Sequence, residues 1–197
     1  MKHFVLTLYL SLITTIGVMA QSIEPQQALI LRKGTIGASL PFAGIPKVLT
    51  DIYRPYAELG YAFTFYQNEK NLLWLEGRVG YFNHRFVQQV IPIMVEGAYE
   101  RRFGEQFSVF VGLGIGYLHA FPHEGRFELN DNGQYEPVSA IGRAQFGANV
   151  TLGGKYAFND TWSLSLGYRT LLQMPFVNTY VPLLPYGIVQ FGIHYAL

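Results

Sequence analysis

Alternation of bulky apolar and small or polar side chains dominates this sequence and limits the folds open to it. Over residues 107–117, Phe, Val, Leu, Ile and Tyr fill the odd positions, while glycines recur at 112, 114 and 116. A period of two separates side chains onto the two faces of a β-strand, whereas a helix would spread them around its circumference. The segment therefore predicts a strand with one bulky apolar face and one face of mostly small residues.

The same alternation recurs along most of the chain and predicts a succession of long strands. Many of them exceed the ~5–6 residues usual in soluble proteins and reach the ~9–11 residues of a tilted membrane strand. The eight predicted strands are 28–42, 55–67, 71–84, 89–103, 106–120, 140–158, 161–173 and 186–197.

The connections between these strands are of two kinds. Those at 68–71, 104–106 and 159–161 are tight and rich in turn residues, whereas the others, such as 121–139 and 174–185, are mostly longer. Short turns at one end and long loops at the other are typical of outer-membrane barrels.

Composition indicates which face of the sheet meets lipid. Charged residues make up 14% of the chain, against about 25% in soluble domains. Outward aromatic residues cluster toward the strand ends, which suits two membrane interfaces. We therefore predict an all-β fold, an eight-stranded antiparallel up-and-down transmembrane β-barrel, which must close because hydrocarbon offers no hydrogen-bond partners. The alternative is a soluble sandwich or barrel in which the apolar face is the core and Glu76, Arg78 and Glu96 face water.

The first 20 residues have the pattern of a signal peptide. Lys2 precedes an apolar core from Phe4 to Val18, and Ala20 ends a candidate cleavage site. The core is short for a membrane helix of ~20 residues. We therefore expect a signal peptide at 1–20, a short periplasmic segment at 21–27 and the transmembrane barrel at 28–197, located in the outer membrane of a Gram-negative bacterium.

The last strand completes a resemblance to a known family. Apolar residues occupy its positions 189, 191, 193, 195 and 197. With the signal peptide, the alternation and the unequal loops, the chain resembles the small eight-stranded outer-membrane barrels, such as the OmpA-type transmembrane domain. Members of that family commonly end in Phe, whereas this chain ends in Leu197. The resemblance implies the barrel-assembly machinery as a partner during biogenesis, and outer-membrane lipids and lipopolysaccharide as surroundings.

The interior of a barrel of this size is filled largely by side chains, and buried charges there must be paired. A hairpin centred near Val87 would place Arg78 opposite Glu96 as an ion pair, and one centred near Asp160 would bring Arg169 close to Asn149 or Thr151. The predicted interior polar network is Glu58, Glu76, Arg78, Glu96, Glu100, Asn149, Lys155, Arg169 and His194, with Lys33 and Arg143 as further inward charges.

Two proline-containing loops carry apolar residues and form a candidate rim site. Strands one and eight are neighbours in a closed barrel, so loops 43–54 and 174–185 can meet. They would form either a pocket for an apolar ligand, lipid or protein partner, or a lid in which the two loops only pack on each other. The candidate binding residues are Phe42, Ile45, Tyr53, Phe176, Tyr180, Leu183 and Leu184.

Candidate chemistry elsewhere is sparse. The chain has no cysteine, and His119, His123 and Glu124 do not complete a metal-ligand set. We expect no cofactor, no metal and no nucleic-acid partner, and the extracellular partner stays unknown. The expected function is a structural or surface-binding outer-membrane barrel rather than an enzyme; the alternatives are a lipid A-modifying deacylase or acyltransferase, and a narrow channel or transporter for small apolar compounds.

Overall fold

The computed structural model of the chain describes residues 26–38, 54–84, 88–122, 126–129, 133–138, 142–175 and 183–197. The predicted signal peptide and almost all of the predicted periplasmic segment lie outside these ranges and stay predictions. Within the part of the chain that the structure describes, no helix is long and apolar enough to cross a membrane.

Long antiparallel strands close into one barrel. The barrel strands are β1 (Gln27–Ala38), β2 (Pro55–Gln67), β3 (Asn71–His84), β4 (Gln88–Phe103), β5 (Phe107–Pro122), β8 (Arg143–Ala157), β9 (Trp162–Met174) and β10 (Leu184–Ala196). Barrel strands that follow one another along the chain pair with each other, so that β5 pairs with β8, and β1 closes the ring by pairing with β10. The predicted fold class, an eight-stranded antiparallel barrel, is confirmed.

A small hairpin interrupts the predicted loop at 121–139. It consists of β6 (Arg126–Leu129) and β7 (Tyr135–Val138), which pair with each other and not with the barrel. Two runs of four residues are too short for a clear alternation, so this hairpin was not predicted from the sequence. β1 is described as far as Ala38, and positions 39–42 of the predicted first strand lie outside the described residues.

Alternation separates an apolar outer face from a polar and small inner face. Leu113 and Leu166 are 66% and 64% exposed, whereas Glu76 and Glu96 are fully buried. The soluble alternative, which reverses these two faces, is therefore wrong. The outer face is the lipid-facing surface of a transmembrane barrel.

Aromatic rings gather at both ends of the outer face. At the end with the turns 68–70, 104–106 and 158–161, called the short-turn end, Trp162 lies 4.8 Å from Tyr195 between ring centroids. The opposite end is called the loop end. Two such girdles flank the apolar band of membrane barrels. The short-turn girdle is Tyr61, Phe63, Phe65, Tyr99, Phe103, Phe107, Tyr156, Phe158, Trp162 and Tyr195; the loop-end girdle is Tyr81, Tyr117, Phe121 and Phe146.

Inside the barrel, side chains form three layers. An apolar cluster near the short-turn end contains Ile30, Ala62, Leu72, Trp74, Ala98 and Phe110. A second apolar cluster toward the loop end contains Ile36, Tyr56, Phe82, Val90, Met94, Leu118, Ala120, Leu171, Tyr186 and Ile188. Between the two clusters lie the buried arginine and glutamate side chains that form the candidate site.

Candidate functional site

Glu58 on β2 is the centre of the charged layer. Its carboxylate accepts hydrogen bonds from Arg32 Nη1 at 3.0 Å and from Arg169 Nη1 at 2.8 Å. The Tyr56 hydroxyl, two residues away on the same inner face, also donates to Glu58. Arg78 Nε lies 3.3 Å from the same carboxylate. One acidic group thus holds three arginines, which come from β1, β3 and β9.

Glu76 on β3 forms a bidentate pair with Arg32. Arg32 Nη2 donates to Glu76 Oε2 at 2.8 Å, and Arg32 Nη1 donates to Glu76 Oε1. Arg32 is 1% exposed and Glu76 is fully buried. A bidentate arginine–carboxylate pair fixes orientation as well as distance, so the two side chains link β1 and β3 across the barrel interior.

Glu96 on β4 organises the opposite side of the layer. Arg78 Nη2 donates to Glu96 Oε2 at 2.9 Å, and the Thr151 hydroxyl donates to the same oxygen at 2.8 Å. Arg78 also donates to Asn149 Oδ1 at 2.8 Å. The Arg78–Glu96 ion pair expected from sequence is present, although Arg78 lies opposite Met94 and not opposite Glu96. The hairpin centre is shifted by one residue, and the pair forms along a diagonal.

Arg169 joins both sides of the layer. Its Nε donates to Thr151 Oγ1 at 3.0 Å, and Thr151 is its direct cross-strand partner. Its Nη1 donates to the Tyr56 hydroxyl at 2.7 Å. Arg169 therefore connects the Glu96 group on β4 and β8 to the Glu58 group on β2.

Two inward charges expected from sequence are placed differently by the structure. Lys33 is exposed on the outer face, and the adjacent Arg32 is buried in its place. In β1 the expected alternation was shifted by one residue. Leu29 and Leu31 both face outward and share the face of Lys33, and this apolar pattern is the signal that could have corrected the prediction for Lys33. Arg143 lies at the start of β8, where its side chain is exposed.

Glycines on the inner face leave the room that these side chains occupy. A Cβ at Gly112 would lie 2.5 Å from Glu96 Oε1, and one at Gly114 would lie 2.5 Å from Asn149 Oδ1. Both distances are too short for non-bonded atoms. The small residues that alternate along β5 thus match the bulk of the glutamate and asparagine that project from β4 and β8.

A second polar group lies near the short-turn end. Lys155 Nζ lies 2.6 Å from the Glu100 carboxylate, and Ser108 donates to Glu100 at 2.7 Å. His194 Nε2 lies 2.8 Å from Ser165 Oγ. Lys155, Glu100 and His194 line an open recess of about 290 Å³, together with Trp74 and Phe110.

A chain of amides that was not predicted from the sequence lies in the interior toward the loop end. Gln88 Nε2 donates to Gln173 Oε1 at 2.9 Å and to the Tyr186 hydroxyl at 3.1 Å. Gln173 donates in turn to Gln145, whose Nε2 donates to the Pro175 carbonyl at 2.7 Å. Uncharged polar residues give little sequence signal in a barrel, because the same residue types also occur on its surface.

The candidate rim residues lie mostly outside the described ranges, namely Phe42, Ile45, Tyr53, Phe176 and Tyr180. Of the other two, Leu183 is 38% exposed, and Leu184 packs against the apolar cluster near the loop end. The rim site therefore stays a prediction.

His119 is the candidate histidine that the structure places on the outer side of β5. Its Nδ1 lies 2.5 Å from the Tyr117 hydroxyl, and its ring centroid lies 4.6 Å from that of Phe121. His123, Glu124 and Ser139 lie outside the described residues. Among the residues described, no group of three or more His, Asp or Glu side chains could hold a metal ion.

Taken as a whole, the charged layer links strands across the barrel interior. Three arginines and three glutamates balance each other, and with Tyr56, Asn149 and Thr151 they connect six of the eight barrel strands. Apolar clusters lie on both sides of the layer along the barrel axis. The arrangement is suited to holding strands in register and to filling the interior.

Glu96→Ala is expected to destabilise the barrel by about 3–5 kcal/mol, the usual cost of removing one partner of a buried ion pair. Arg78 would lose its charged partner at 2.9 Å, and Thr151 would lose its acceptor. Urea unfolding in lipid vesicles, followed by tryptophan fluorescence, measures the change. Glu69→Ala in an exposed turn is the control, and equal stability of the two variants would contradict the bracing role.

Comparison with known proteins identifies the fold. No family model matches the chain, and a search of curated proteins finds no match. Among solved structures, Neisserial surface protein A matches with 14% identity and a TM-score of 0.58, over 87% of this chain and 96% of that one. Ail of Yersinia pestis matches with 12% identity and a TM-score of 0.49, over 88% of this chain and 97% of that one. The N-terminal barrel of Pseudomonas aeruginosa OprF matches with 11% identity and a TM-score of 0.48, over 88% and 100%.

The predicted resemblance to the small eight-stranded outer-membrane barrels is thus confirmed at the level of fold.

Proposed function

We propose that the protein is an outer-membrane barrel with a filled interior, which acts as a rigid base for surface loops in a structural or surface-binding role. The observation that carries this proposal is the position of the charged layer between two apolar clusters. These side chains are balanced in charge, hydrogen-bonded to one another and packed against apolar residues on both sides. This arrangement favours a bracing role over a conducting path, for which rings of one charge are typical.

Placement in the outer membrane is supported by the fold and by the outer face. Closed barrels of this type with an apolar band between two aromatic girdles are the β-structures that cross such membranes. The predicted signal peptide at 1–20 would direct export across the inner membrane. On this proposal the barrel-assembly machinery inserts the chain, and lipopolysaccharide and phospholipid surround it.

Bilayer conductance tests the filled interior. The purified protein, reconstituted in a planar bilayer, is expected to give no discrete conductance steps, because the charged layer occupies the cross-section between the two apolar clusters. Insertion is verified in parallel by protease protection in vesicles prepared from the same sample. Regular conductance steps from inserted protein would favour the channel alternative instead.

A loop replacement separates a binding rim from a lid. If loop 174–185 contributes a binding rim, replacing residues 176–182 by Gly and Ser should leave the urea midpoint of unfolding unchanged. The barrel strands β9 and β10 are held by their own ladder from Leu172 and Pro185 down to Trp162 and Tyr195. A matched replacement of the turn residues 104–106 is the control. A clear drop of the midpoint for the 176–182 variant alone would mean that the two loops pack on each other as a lid that stabilises the protein.

The lipid-modifying alternative depends on His119. This histidine lies within the loop-end girdle beside Tyr117 and Phe121, at a level where lipid headgroups meet the barrel. The lipid A profile of cells that express the wild type, the His119→Ala variant or no protein tests it. Our proposal expects three identical profiles; an acyl chain that is removed or added in the presence of the wild type, but not of the variant, would establish the enzyme instead.

A further inference from the structure

The open recess at the short-turn end has an apolar floor. Four residues of the apolar cluster near that end line it, namely Ile30, Leu72, Trp74 and Phe110. The charged layer lies beyond this cluster, so the recess ends at packed side chains and does not lead through the barrel. A concave site that combines apolar surface with a few polar groups is the usual form of a small-ligand site, and a volume of about 290 Å³ suits a small molecule.

Two basic side chains flank Ser108 on the wall of the recess. Ser108 on β5 is the direct cross-strand partner of Arg102 on β4 and of Lys155 on β8, and all three residues line the recess. Direct cross-strand neighbours lie ~4.5–5.5 Å apart, which places the backbones of Arg102 and Lys155 about 10 Å apart. Side chains of this length can therefore converge on one ligand group above Ser108.

The two basic side chains differ in what they already bind. Lys155 Nζ lies 2.6 Å from the Glu100 carboxylate, which also accepts a hydrogen bond from Ser108. Arg102 is half-buried, yet its guanidinium makes no hydrogen bond or ion pair with any residue that the structure describes. A guanidinium offers five N–H donors in a planar fork, and this fork matches the two oxygens of a carboxylate.

His194 supplies a further polar group with unused capacity. It lines the recess and is 8% exposed. Its Nε2 lies 2.8 Å from Ser165 Oγ, and within the described ranges this is its only hydrogen bond. The ring therefore has one nitrogen, Nδ1, left for a polar group in the recess.

We propose that the recess binds a small monocarboxylate with an apolar body. Arg102 and Lys155 hold the carboxylate over Ser108, and the apolar body lies on Trp74 and Phe110. The inference goes beyond the proposed function, because it concerns the short-turn end of the barrel and not the surface loops.

The charges around the recess select a ligand with one negative charge. Arg102 and Lys155 are opposed by Glu100, which leaves one positive charge on the wall. Glu105 and Asp160 lie at the exposed rim of the recess. These two carboxylates repel ligands that carry more than one negative charge, whereas their exposure to water weakens their effect on a single charge at the wall.

Titration of the protein with hexanoate, followed by tryptophan fluorescence in lipid nanodiscs, tests the site. The chain has two tryptophans, so a Trp162→Phe background leaves Trp74 on the recess floor as the only reporter. Hexanamide keeps the apolar body without the charge, and acetate keeps the charge without the body. We expect a saturable response to hexanoate, with binding of hexanamide and acetate weaker by about ten-fold or more.

A pair of adjacent arginines provides the test variant and its control in the same background. Arg102→Gln removes the unpaired guanidinium from the recess. Arg101→Gln is the matched control, because Arg101 is the next residue on β4, is exposed and lies over the Phe103 ring at 6.0 Å. We expect hexanoate to bind about ten-fold more weakly to Arg102→Gln and with unchanged affinity to Arg101→Gln.

Several results would overturn the site. Equal hexanoate affinity with and without Arg102→Gln would do so, as would an equal loss in Arg101→Gln, which would indicate an unspecific effect of charge. Hexanamide or acetate that binds as tightly as hexanoate would show that the recess does not recognise a carboxylate on an apolar body. Heat-modifiable migration on gels verifies folding, and the comparison of the three compounds decides the question even if Arg102→Gln does not fold.

Discussion

Glu58→Ala will have the largest effect of any single charge removal in the barrel, with a loss of stability at or above about 3–5 kcal/mol. Glu58 accepts hydrogen bonds from Arg32, Arg169 and Tyr56, and it is 3% exposed. Its removal leaves three arginines near one another with two glutamates to balance them. Repulsion between these guanidinium groups adds to the cost of keeping them away from water, which the Glu58 carboxylate no longer offsets.

The measurement is the yield and the urea midpoint of refolding into lipid vesicles, read from heat-modifiable gel migration. Glu105→Ala, in an exposed turn, serves as the control for loss of one negative charge. Glu58→Gln should lie between the wild type and Glu58→Ala, because an amide oxygen still accepts from arginine. A Glu58→Ala barrel within about 1 kcal/mol of the control, the range of a surface pair, would show that the charged layer does not brace the fold.

Gly112→Val is expected to prevent closure of the barrel or to cost about 3 kcal/mol or more, the upper range of core overpacking. Even a Cβ at Gly112 would lie 2.5 Å from Glu96 Oε1 and 2.7 Å from its carboxyl carbon. Glu96 cannot retreat without leaving Arg78 and Thr151, to which it is bonded. The substitution therefore causes either a steric clash with Glu96 or the loss of the Arg78–Glu96 ion pair.

Gly97→Val provides a control from the paired strand. Gly97 lies on β4 next to Ala98, the cross-strand partner of Gly112, but it faces outward, and a Cβ there would meet nothing within 4 Å. We expect this variant to fold with unchanged or higher stability, because valine adds apolar surface toward lipid and suits a strand. Equal folding yields for Gly112→Val and Gly97→Val would contradict the tightly filled interior.

Much of this architecture could be predicted from the sequence, because alternation is a property of single strands. The predicted limits 55–67 and 71–84 coincide with β2 and β3. Register is harder to predict, because it depends on the turn: the β3–β4 connection is centred one residue from the expected position, and Arg78 consequently lies opposite Met94.

The candidate site was less predictable than the fold for a similar reason. In β1, Arg32 and Lys33 are adjacent, and a shift of one residue exchanges inside for outside. The role of Glu58 as a shared partner depends on β1, β3 and β9 meeting across the barrel, which no pattern within one strand reveals. Tyr56 and the glutamine chain of Gln88, Gln145 and Gln173 are likewise recognisable only once the strands are closed into a ring.

The central claim is that the apolar face of the strands contacts hydrocarbon while the charged layer lies inside. The chain has no cysteine, so nitroxide labels can be placed singly at Val109, Val111, Leu113 and Ile115 on the outer face of β5. In lipid vesicles, electron paramagnetic resonance then compares collisions with oxygen, which enters the bilayer, and with a water-soluble nickel complex. A lipid-facing outer face predicts high oxygen and low nickel accessibility at all four sites, with the largest ratio near Leu113. Nickel access along the whole strand, or labels shielded from both reagents, would contradict the lipid contact of this face.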